Sequence, residues 1–455
     1  MPIIILRKNR KMRVNSKKIS RFLQAAASMV LLGFLYFYSR PQAQTQVLEF
    51  GMFTGSNWEV ENADVFVIID RAIQRFEKNH PGIEVHYTSG IEKKDYSEWC
   101  AKRILEGNMP DVFMVLDTDF NQYCSIGIMQ ELNSFMETDP DFQNKDIFRT
   151  AMEIGKGRED IQYALPYEVV PTMLFVNKTL LRQEGIEMPK KDWTWDDFME
   201  ICQKVTKDTD GDGRIDQFGT YNYTWQDAMY TSGGSAFDSE TQNVDFSNQY
   251  MIESLKFMKD LLALNQGENV TQEDFDAGKV AFMPLTFAEY RTYKTYPYKI
   301  KKYSNFQWDC TTFPGRTKGD NISKVDALLL GINQDSTEKG LAWEFLKELV
   351  CDYESQLDIF RYSQGVSVLE SVARSDEAAS IIQKDMDKEE QVISGDLLCD
   401  VIEHGTITPK FYQYETYEQM ISLANTAITE MFEKNSNIES SMKIFQREIR
   451  KYLNQ

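Results

Sequence analysis

The stretch that decides the fold class runs from residue 107 to residue 116 and reads GNMPDVFMVL. Its first four residues form a turn, in which Pro110 restricts Met109 to an extended conformation and so starts a strand cleanly. Five apolar residues then follow in succession, from Val112 to Leu116. An uninterrupted apolar run of this length, bounded by turn residues, predicts a buried strand.

Two more strands and two helices precede this strand. Residues 47–53 (VLEFGMF) and 83–87 (IEVHY) read as strands, and a helix is expected around residues 99–105. Between the first two strands, apolar residues recur at helical spacing on one face, at Val65, Ile68, Ile69, Ala72, Ile73 and Phe76. The order strand, helix, strand, helix, strand predicts an α/β sheet with crossover connections. Ligands of such sheets bind beyond the carboxyl ends of the strands, where the loops 54–58 and 117–120 are expected.

Length and composition narrow the class of protein. At 455 residues the chain is too long for one small core, so two lobes are expected. Aromatic residues make up 13% of the chain and can form flat apolar ligand surfaces as well as cores. The net charge is −20, although the first 43 residues hold nine Lys and Arg and no Asp or Glu. The acidic body repels nucleic acid and anionic lipid, and it suits a neutral or cationic ligand.

The N-terminus has the layout of an export signal. Basic residues lie between Arg7 and Arg21, and an apolar stretch covers residues 25–38. This stretch is short for a membrane span, and Pro41-Gln42-Ala43 is a weak cleavage site, so residues 1–43 are predicted to be a signal peptide or an N-terminal membrane anchor. No cysteine follows the stretch, which argues against a lipoprotein. We therefore expect an exported protein at the extracellular face of the cell membrane.

The six cysteines are far apart and form no CxxC pair. Export permits disulfides, but the spacing favours no pairing, and buried free thiols are the alternative. Only three histidines are present, which makes a zinc site by the usual spacing an unfavoured reading.

Six motifs follow one another along the chain in the order found in a known family. They are FEKNHPGIEV at 76–85, GNMPDVF at 107–113, YALPY followed by LFVNK within 163–178, TWDDF at 194–198, FDAGKVAF at 275–282 and AWEFL at 342–346. Each also has a structural role; TWDDF, for example, begins a helix with a capping box. Together they resemble the family 1 extracellular solute-binding proteins of ABC importers, which include maltose-binding-protein-like sugar receptors. The chain departs from the family pattern at Val176, where tyrosine is usual, and at residues 286–288 (TFA), where tryptophan is frequent.

The resemblance implies an α/β fold of two lobes, the type II periplasmic-binding-protein-like clamp, with a ligand cleft between the lobes. It places lobe 1 at 47–168, with about 330–365 returning to it, and lobe 2 at 172–325, with about 370–455 returning to it. The chain is expected to cross between lobes near 168–171 and 326–329. The implied function is capture of a carbohydrate, an oligosaccharide in the first instance, by lobe closure and its delivery to ABC permease subunits. A monomer without enzyme activity and without a required cofactor is expected.

A sugar presents hydroxyl edges and apolar ring faces, so its site needs aromatic rings together with charged or amide groups. The resemblance places candidate ligand-binding residues after the first and third strands, at the first crossing and in the second lobe. They are Trp58, Asp117, Asp119, Tyr167, Glu168, Tyr223, Trp225, Glu289, Tyr290, Tyr412 and Tyr417. For Glu168 the alternative is a role in stabilising the hinge, and for Trp58 and Trp225 it is simple packing.

Residues 208–216 (DTDGDGRID) resemble the front of a calcium loop. Asp208, Asp210, Asp212 and Asp216 stand at positions 1, 3, 5 and 9, with glycine at position 6. Position 12, where a bidentate glutamate is usual, is Gly219. The sequence predicts a structural calcium site here, and an acidic surface turn is the alternative.

Two other functions remain open at this point. A surface protein that presents its ligand to a membrane sensor would suit an uncleaved N-terminal anchor. A glycoside hydrolase also needs carboxylates and aromatic rings in a cleft, but no hydrolase signature is present. Within the importer reading, peptide and polyamine ligands are alternatives to a sugar.

Overall fold

The computed structural model describes residues 45–58, 60, 64–238, 241–295, 306–384, 393–409 and 414–453. The predicted signal or anchor segment, residues 1–43, and the candidate residue Tyr412 lie outside these ranges. In the described part of the chain, no helix is both long enough and apolar enough to span a membrane.

The first lobe begins with the predicted alternation of strands and helices. Strand β1 (Gln46–Gly51) pairs in parallel with β2 (Ile83–Tyr87) and with β3 (Val112–Val115). The helical face predicted from Val65 to Phe76 is buried as expected, because its apolar residues pack on this sheet. The elements up to the first crossing are β1 (Gln46–Gly51), α1 (Val65–Asn79), β2 (Ile83–Tyr87), α2 (Lys93–Glu106), β3 (Val112–Val115), α3 (Asp117–Ile126), α4 (Asn133–Thr138), α5 (Pro140–Gln143) and α6 (Arg149–Ile154).

One long strand, β4 (Ala164–Asn177), connects the two lobes. Its first half, up to Pro171, pairs antiparallel with β10 (Val325–Ile332). From Thr172 onward it pairs with β8 (Val280–Thr286) and with β9 (Trp308–Thr311). At the change of partner, the Thr172 N–H donates to the Lys324 carbonyl at 2.8 Å. The two connecting strands therefore lie side by side at the junction, near the predicted crossings.

The second lobe is built on the continuation of the same sheet. The strand order is β2-β1-β3-β10-β4-β8-β5, where β5 is Phe218–Thr220. Strands β9 and β11 (Val366–Ser367) also pair with β4. The predicted capping box is present at the start of α8, where Asp197 accepts from the Thr194 N–H at 2.8 Å. The elements between the crossings are α7 (Lys178–Gln183), α8 (Trp195–Val205), β5 (Phe218–Thr220), α9 (Trp225–Tyr230), β6 (Phe237–Asp238), β7 (Asn243–Val244), α10 (Gln249–Ala263), α11 (Gln272–Asp276), β8, α12 (Phe287–Thr295) and β9.

After β10 the chain returns to the first lobe and stays there longer than expected. We placed the return to lobe 2 at about residue 370. Instead, residues 398–402 bury an apolar stripe against the first lobe, and the Thr150 hydroxyl of α6 donates to the Glu403 carbonyl at 2.8 Å. The second lobe resumes with α18, so the expected boundary is too early. The elements after β10 are α13 (Lys339–Cys351), α14 (Tyr353–Tyr362), β11 (Val366–Ser367), α15 (Glu370–Ala373), α16 (Asp376–Lys384), α17 (Gly395–Glu403), α18 (Tyr414–Glu433) and α19 (Ile438–Leu453).

None of the six cysteines, all of which lie in the described residues, is joined in a disulfide, and five of them are buried. The structure therefore favours the second of the two alternatives left by the sequence, in which cysteine acts as a small core residue.

Candidate functional site

A cavity of about 250 Å³ lies where the two lobes meet. The first lobe contributes the start of α3, with Asp117 and Phe120, and the crossing strand contributes the segment from Lys324 to Ala327. The second lobe contributes α9 and α18. Because its walls come from both lobes and from a strand that joins them, any molecule bound here contacts both halves of the protein.

A second cavity of about 340 Å³ adjoins the first on the side of the second lobe. The two cavities share six lining residues, which are Gln226, Tyr230, Ile407, Pro409, Tyr417 and Ile421. They therefore form one cleft, named here the interlobe cleft. Its size is that of a small-molecule site, for which volumes of about 300–1,000 Å³ are usual.

Aromatic rings line the second-lobe side of the interlobe cleft. The Trp225 indole N–H donates to the Asn425 side-chain oxygen at 2.7 Å, which fixes α9 against α18. Tyr417 packs on Phe237 with ring centroids 4.8 Å apart. Tyr230, at the end of α9, is only half-buried. The second lobe thus offers a wall of positioned rings on which an apolar ligand face can lie.

Charged groups line the side formed by the first lobe and the crossing strand. Lys324 forms an ion pair with Asp326 at 3.0 Å. Asp117 reaches solvent in the cleft, but the surrounding protein removes much of its hydration and Asp326 repels it, and together these raise its pKa to about 7 despite the nearby Lys324 and Lys93. Removal from water, with the nearby carboxylates, also raises the pKa of Tyr230.

A separate cluster surrounds Glu168, which is 4% exposed, on the crossing strand β4. The Trp58 indole N–H donates to one carboxylate oxygen at 2.9 Å, and the Ser363 hydroxyl donates to the other at 2.6 Å. Gly365 lies so close that a Cβ added there would stand 2.6 Å from the carboxylate, so only glycine fits. Burial raises the Glu168 pKa to about 7. The hydrogen bonds from Ser363 and Trp58, together with the positive charge of Arg291, limit the rise.

Arg291 connects this cluster to the second lobe. It lies on α12 and donates to the carbonyl oxygens of Ser363 at 2.6 Å and Phe360 at 2.7 Å. These carbonyls stand at the C-terminal end of α14, where the helix dipole favours a cation. The Glu168 cluster and Arg291 therefore tie the crossing strand, the loop after β1 and both lobes together.

Comparison with known proteins identifies the scaffold. Residues 61–350 match the family described as bacterial extracellular solute-binding proteins. The chain belongs to this family. The match spans most of both lobes, so it covers the crossing strands and the first-lobe and α9 walls of the interlobe cleft.

Solved structures show the same fold for this solute-binding protein. The sugar-binding protein MalE of Xanthomonas citri gives a TM-score of 0.72 at 15% identity over 90% of this chain and 98% of that one. An ABC substrate-binding protein of Listeria monocytogenes in complex with cycloalternan gives 0.64 at 19% identity over 90% and 99%. Both likenesses establish the two-lobe type II clamp predicted from the sequence.

One curated relative is similar over a shorter stretch. An arabinooligosaccharide-binding protein of Halalkalibacterium halodurans is 27% identical over 110 residues, and the match spans 24% of each chain. This solute-binding protein thus matches about a quarter of that relative's length.

Three of the predicted ligand residues line the interlobe cleft, namely Asp117, Trp225 and Tyr417. Sequence reasoning missed several others, which are Phe120, Gln226, Tyr230, Lys324, Asp326 and Glu418. The sequence does contain a signal for Lys324 and Asp326, because they are charged residues flanking the start of an otherwise apolar strand. Gln226 and Tyr230 follow Trp225 on the same short helix, and none of the six family motifs includes this helix.

The other predicted ligand residues have different contacts, and we no longer assign them to the ligand. Trp58 and Glu168 bind each other, so the hinge-stabilising alternative is favoured for Glu168. Asp119 accepts from the Ser97 hydroxyl at 2.7 Å. Glu289 accepts from the Thr286 N–H at 2.8 Å and so begins α12.

Three predicted tyrosines are buried in packed cores. Tyr167 is 1% exposed and lies where the pairing of β4 with β10 shifts register. Tyr223 packs on Phe198 with centroids 5.2 Å apart, and Tyr290 packs on Phe175 at 5.4 Å. An aromatic residue near a cleft and one in the core behind it have the same appearance in the sequence, and these three lie in the core.

The acidic loop brings three of its four predicted ligands together. Three carboxylate oxygens, one each from Asp208, Asp210 and Asp212, lie within 4.8 Å of one another. Asp216 instead accepts from the Thr209 N–H at 2.8 Å and faces Lys279 at 3.5 Å. Gly219 offers no side chain, so the donor set fits an oxygen-preferring cation with three carboxylates rather than the four predicted.

Titration of Glu168 predicts a pH-dependent stability. Its folded-state pKa of about 7 lies above the usual 4.5, so the unfolded state releases its proton first as the pH rises. The free energy of unfolding should therefore decrease between about pH 4.5 and pH 7. Glu168→Gln cannot ionise; its amide oxygen can still accept from the Trp58 N–H, and its NH2 group can donate to the Ser363 hydroxyl oxygen. The variant should therefore lose this decrease, and its free energy of unfolding relative to the wild type should rise over this pH range by at most a few kcal/mol, since one pKa unit corresponds to about 1.4 kcal/mol.

Urea unfolding at a series of pH values measures this. Glu98→Gln, which changes an exposed glutamate on α2, is the matched control and should follow the wild type. A Glu168→Gln profile parallel to the wild-type profile from pH 4.5 to pH 7 would contradict the assignment.

Proposed function

We propose that this solute-binding protein is the extracellular receptor subunit of an ABC importer, which captures a carbohydrate in the interlobe cleft and delivers it to permease subunits in the membrane. The observation that carries the proposal is the composition of that cleft. The second-lobe wall carries aromatic rings together with Gln226 and Glu418, and the wall formed by the first lobe and the crossing strand carries Asp117, Lys324 and Asp326.

This arrangement matches the surface of a sugar. The ring faces of a pyranose or furanose are apolar and stack on aromatic side chains such as Tyr230, Tyr417 and Trp225. Its hydroxyl groups both donate and accept, so they can bind the Asp117 carboxylate, the Lys324 ammonium and the Gln226 amide. A flat apolar ligand without hydroxyl groups would displace water from these polar groups without replacing its hydrogen bonds, which is costly.

Capture is proposed to proceed by lobe closure. A ligand that contacts both walls binds the closed form more tightly than the open one, and it shifts the equilibrium by that difference in affinity. The lobes are joined by the paired strands β4 and β10, whose partners change at Thr172 and Lys324. A short junction of this kind permits a rotation of one lobe on the other while each lobe keeps its own core.

The relatives support a carbohydrate ligand and an importer. The structural relative from Listeria monocytogenes holds cycloalternan, and the curated relative is named as an arabinooligosaccharide-binding protein. We propose further that the protein acts as a monomer without catalytic activity, since its relatives are binding proteins. Location at the extracellular face of the membrane, through the predicted signal or anchor, belongs to the same proposal.

We also keep calcium binding by the loop at Asp208, Asp210 and Asp212 as a proposal, with a structural role. Chelation should lower the melting temperature, because a ligand that binds only the folded state stabilises it by about 2.7 kcal/mol at a hundredfold its Kd. Asp212→Asn should abolish the sensitivity, whereas Asp141→Asn, on the exposed surface of α5, should retain it. Identical thermal unfolding of the wild type with calcium and with chelator would contradict the proposal.

The sugar site is tested by removing one exposed ring from the cleft. Tyr230 is half-buried and lines both cavities, so Tyr230→Ala should weaken sugar binding by about 1–3 kcal/mol while the fold is retained. A thermal-shift screen against malto-, arabino- and cyclic gluco-oligosaccharides first identifies a ligand, and calorimetry then gives its Kd. Tyr353→Ala, which removes a ring 40% exposed on the outer face of α14, is the matched control.

The expected result is a weaker Kd for Tyr230→Ala and an unchanged Kd for Tyr353→Ala. Equal affinity of wild type and Tyr230→Ala would show that the sugar binds elsewhere. Absence of binding by every saccharide in the screen, and by amine-bearing saccharides tested in the same way, would overturn the carbohydrate function itself.

A further inference from the structure

The charges of the interlobe cleft are unequal. Of the lining residues within the described ranges, three are carboxylates (Asp117, Asp326 and Glu418) and one, Lys324, is a cation. The Lys324 ammonium forms its ion pair with Asp326 at 3.0 Å, so the one lining cation is already matched by a carboxylate of the same strand. Asp117 and Glu418 stand on opposite lobes as additional negative charges.

Charged groups just outside the lining do not restore the balance. Lys93, on α2, acts on Asp117, but its ammonium also donates to the Asn57 carbonyl at 2.5 Å. On the other side, the half-buried Asp227 of α9 adds a fourth carboxylate near Tyr230. With Asp117 itself, the cleft and its immediate surroundings hold four carboxylates, which are Asp117, Asp326, Glu418 and Asp227, against the ammonium groups of Lys324 and Lys93.

The electrostatic state of Asp117 reflects this excess. Its pKa is raised to about 7 because the surrounding protein removes much of its hydration and Asp326 repels it, even though two lysines act in the opposite direction. A hydroxyl group of a neutral sugar can donate a hydrogen bond to such a carboxylate, but it brings no charge and leaves the repulsion between carboxylates in place. A cationic group on the ligand would satisfy both the hydrogen bond and the charge.

We propose that the preferred ligand of this cleft is a carbohydrate that bears a protonated primary amine, that is, an amino sugar in its free-amine form, whose ammonium group binds Asp117 in the field of Asp326 and Glu418. This inference rests on the proposed carbohydrate function and narrows its substrate class. The aromatic wall suits the same ligand, because the faces of Tyr230 and Tyr417 attract a nearby cation as well as an apolar ring face.

Paired saccharides that differ only in the amine test the proposal. Calorimetry compares glucosamine oligomers with β-1,4-glucose oligomers of equal length, with the N-acetylated oligomers as a third member, and compares galactosamine with galactose in the same way. The free-amine member should bind about tenfold more tightly or better than both uncharged members, because a hydrogen bond to a charged partner exceeds a neutral one by about that factor.

Two aspartates on the same helix provide the variant and its control. Asp117→Asn removes the charge and keeps a polar group, so it should weaken binding of the neutral sugar and weaken binding of the free amine more strongly, which brings the preference for the amine close to one. Asp119→Asn changes a carboxylate that binds Ser97 and Tyr123 outside the cleft, so the preference should persist.

The outcomes distinguish failure of the amino-sugar inference from failure of the proposed carbohydrate function on which it rests. If neutral or N-acetylated saccharides bind as tightly as the free amines, the amino-sugar inference is overturned and the sugar receptor stands. If Asp119→Asn abolishes the preference and Asp117→Asn does not, the assignment to Asp117 is overturned. If a simple diamine such as putrescine binds and no saccharide does, the carbohydrate function is overturned, and the amino-sugar inference with it.

Discussion

The hydrogen bonding of a single strand determines how the rest of this protein is arranged. Strand β4 pairs with β10 up to Pro171 and with β8 and β9 from Thr172 onward, so its backbone belongs to the cores of both lobes. Backbone N–H and C=O groups that are buried must be paired, and here the pairing partner changes within one residue. The lobes are therefore held at a fixed distance along the strand, and the proposed rotation takes place about this junction. The cleft, its two walls and the proposed closure all follow from this junction.

The first lobe and the scaffold were predictable because local patterns decide them. The GNMPDVFMVL stretch, the helical face from Val65 to Phe76 and the Thr194 capping box each depend on neighbours close in sequence, and the structure contains all three. The boundary near residue 370 was not predictable in this way. Helix α17 is amphipathic, and its apolar residues would suit a core in either lobe, so only the tertiary packing on α6 decides where it lies.

The ligand site was predictable only in part, for a related reason. Asp117 could be placed because the end of a buried parallel strand points to the edge where ligands bind. Glu168 was chosen for its position at the crossing, but the sequence does not show that Trp58 and Ser363 occupy both of its oxygens. Tyr230 was not predicted, because nothing in the neighbouring sequence distinguishes a cleft-lining tyrosine at the end of a short helix from one that lies elsewhere on the surface. The charge imbalance in the cleft is likewise a property of the folded arrangement, since its carboxylates come from α3, β10 and α18, which are far apart in the sequence.

The central claim is that two lobes close on a sugar by rotation about the β4–β10 junction. Small-angle X-ray scattering of the wild-type protein, alone and saturated with the saccharide that stabilises it most in thermal unfolding, tests this directly. The account predicts a smaller radius of gyration and a shorter maximum dimension in the presence of the saccharide, because the ligand favours the closed form. Scattering curves that superimpose while calorimetry shows the sites to be filled would contradict it.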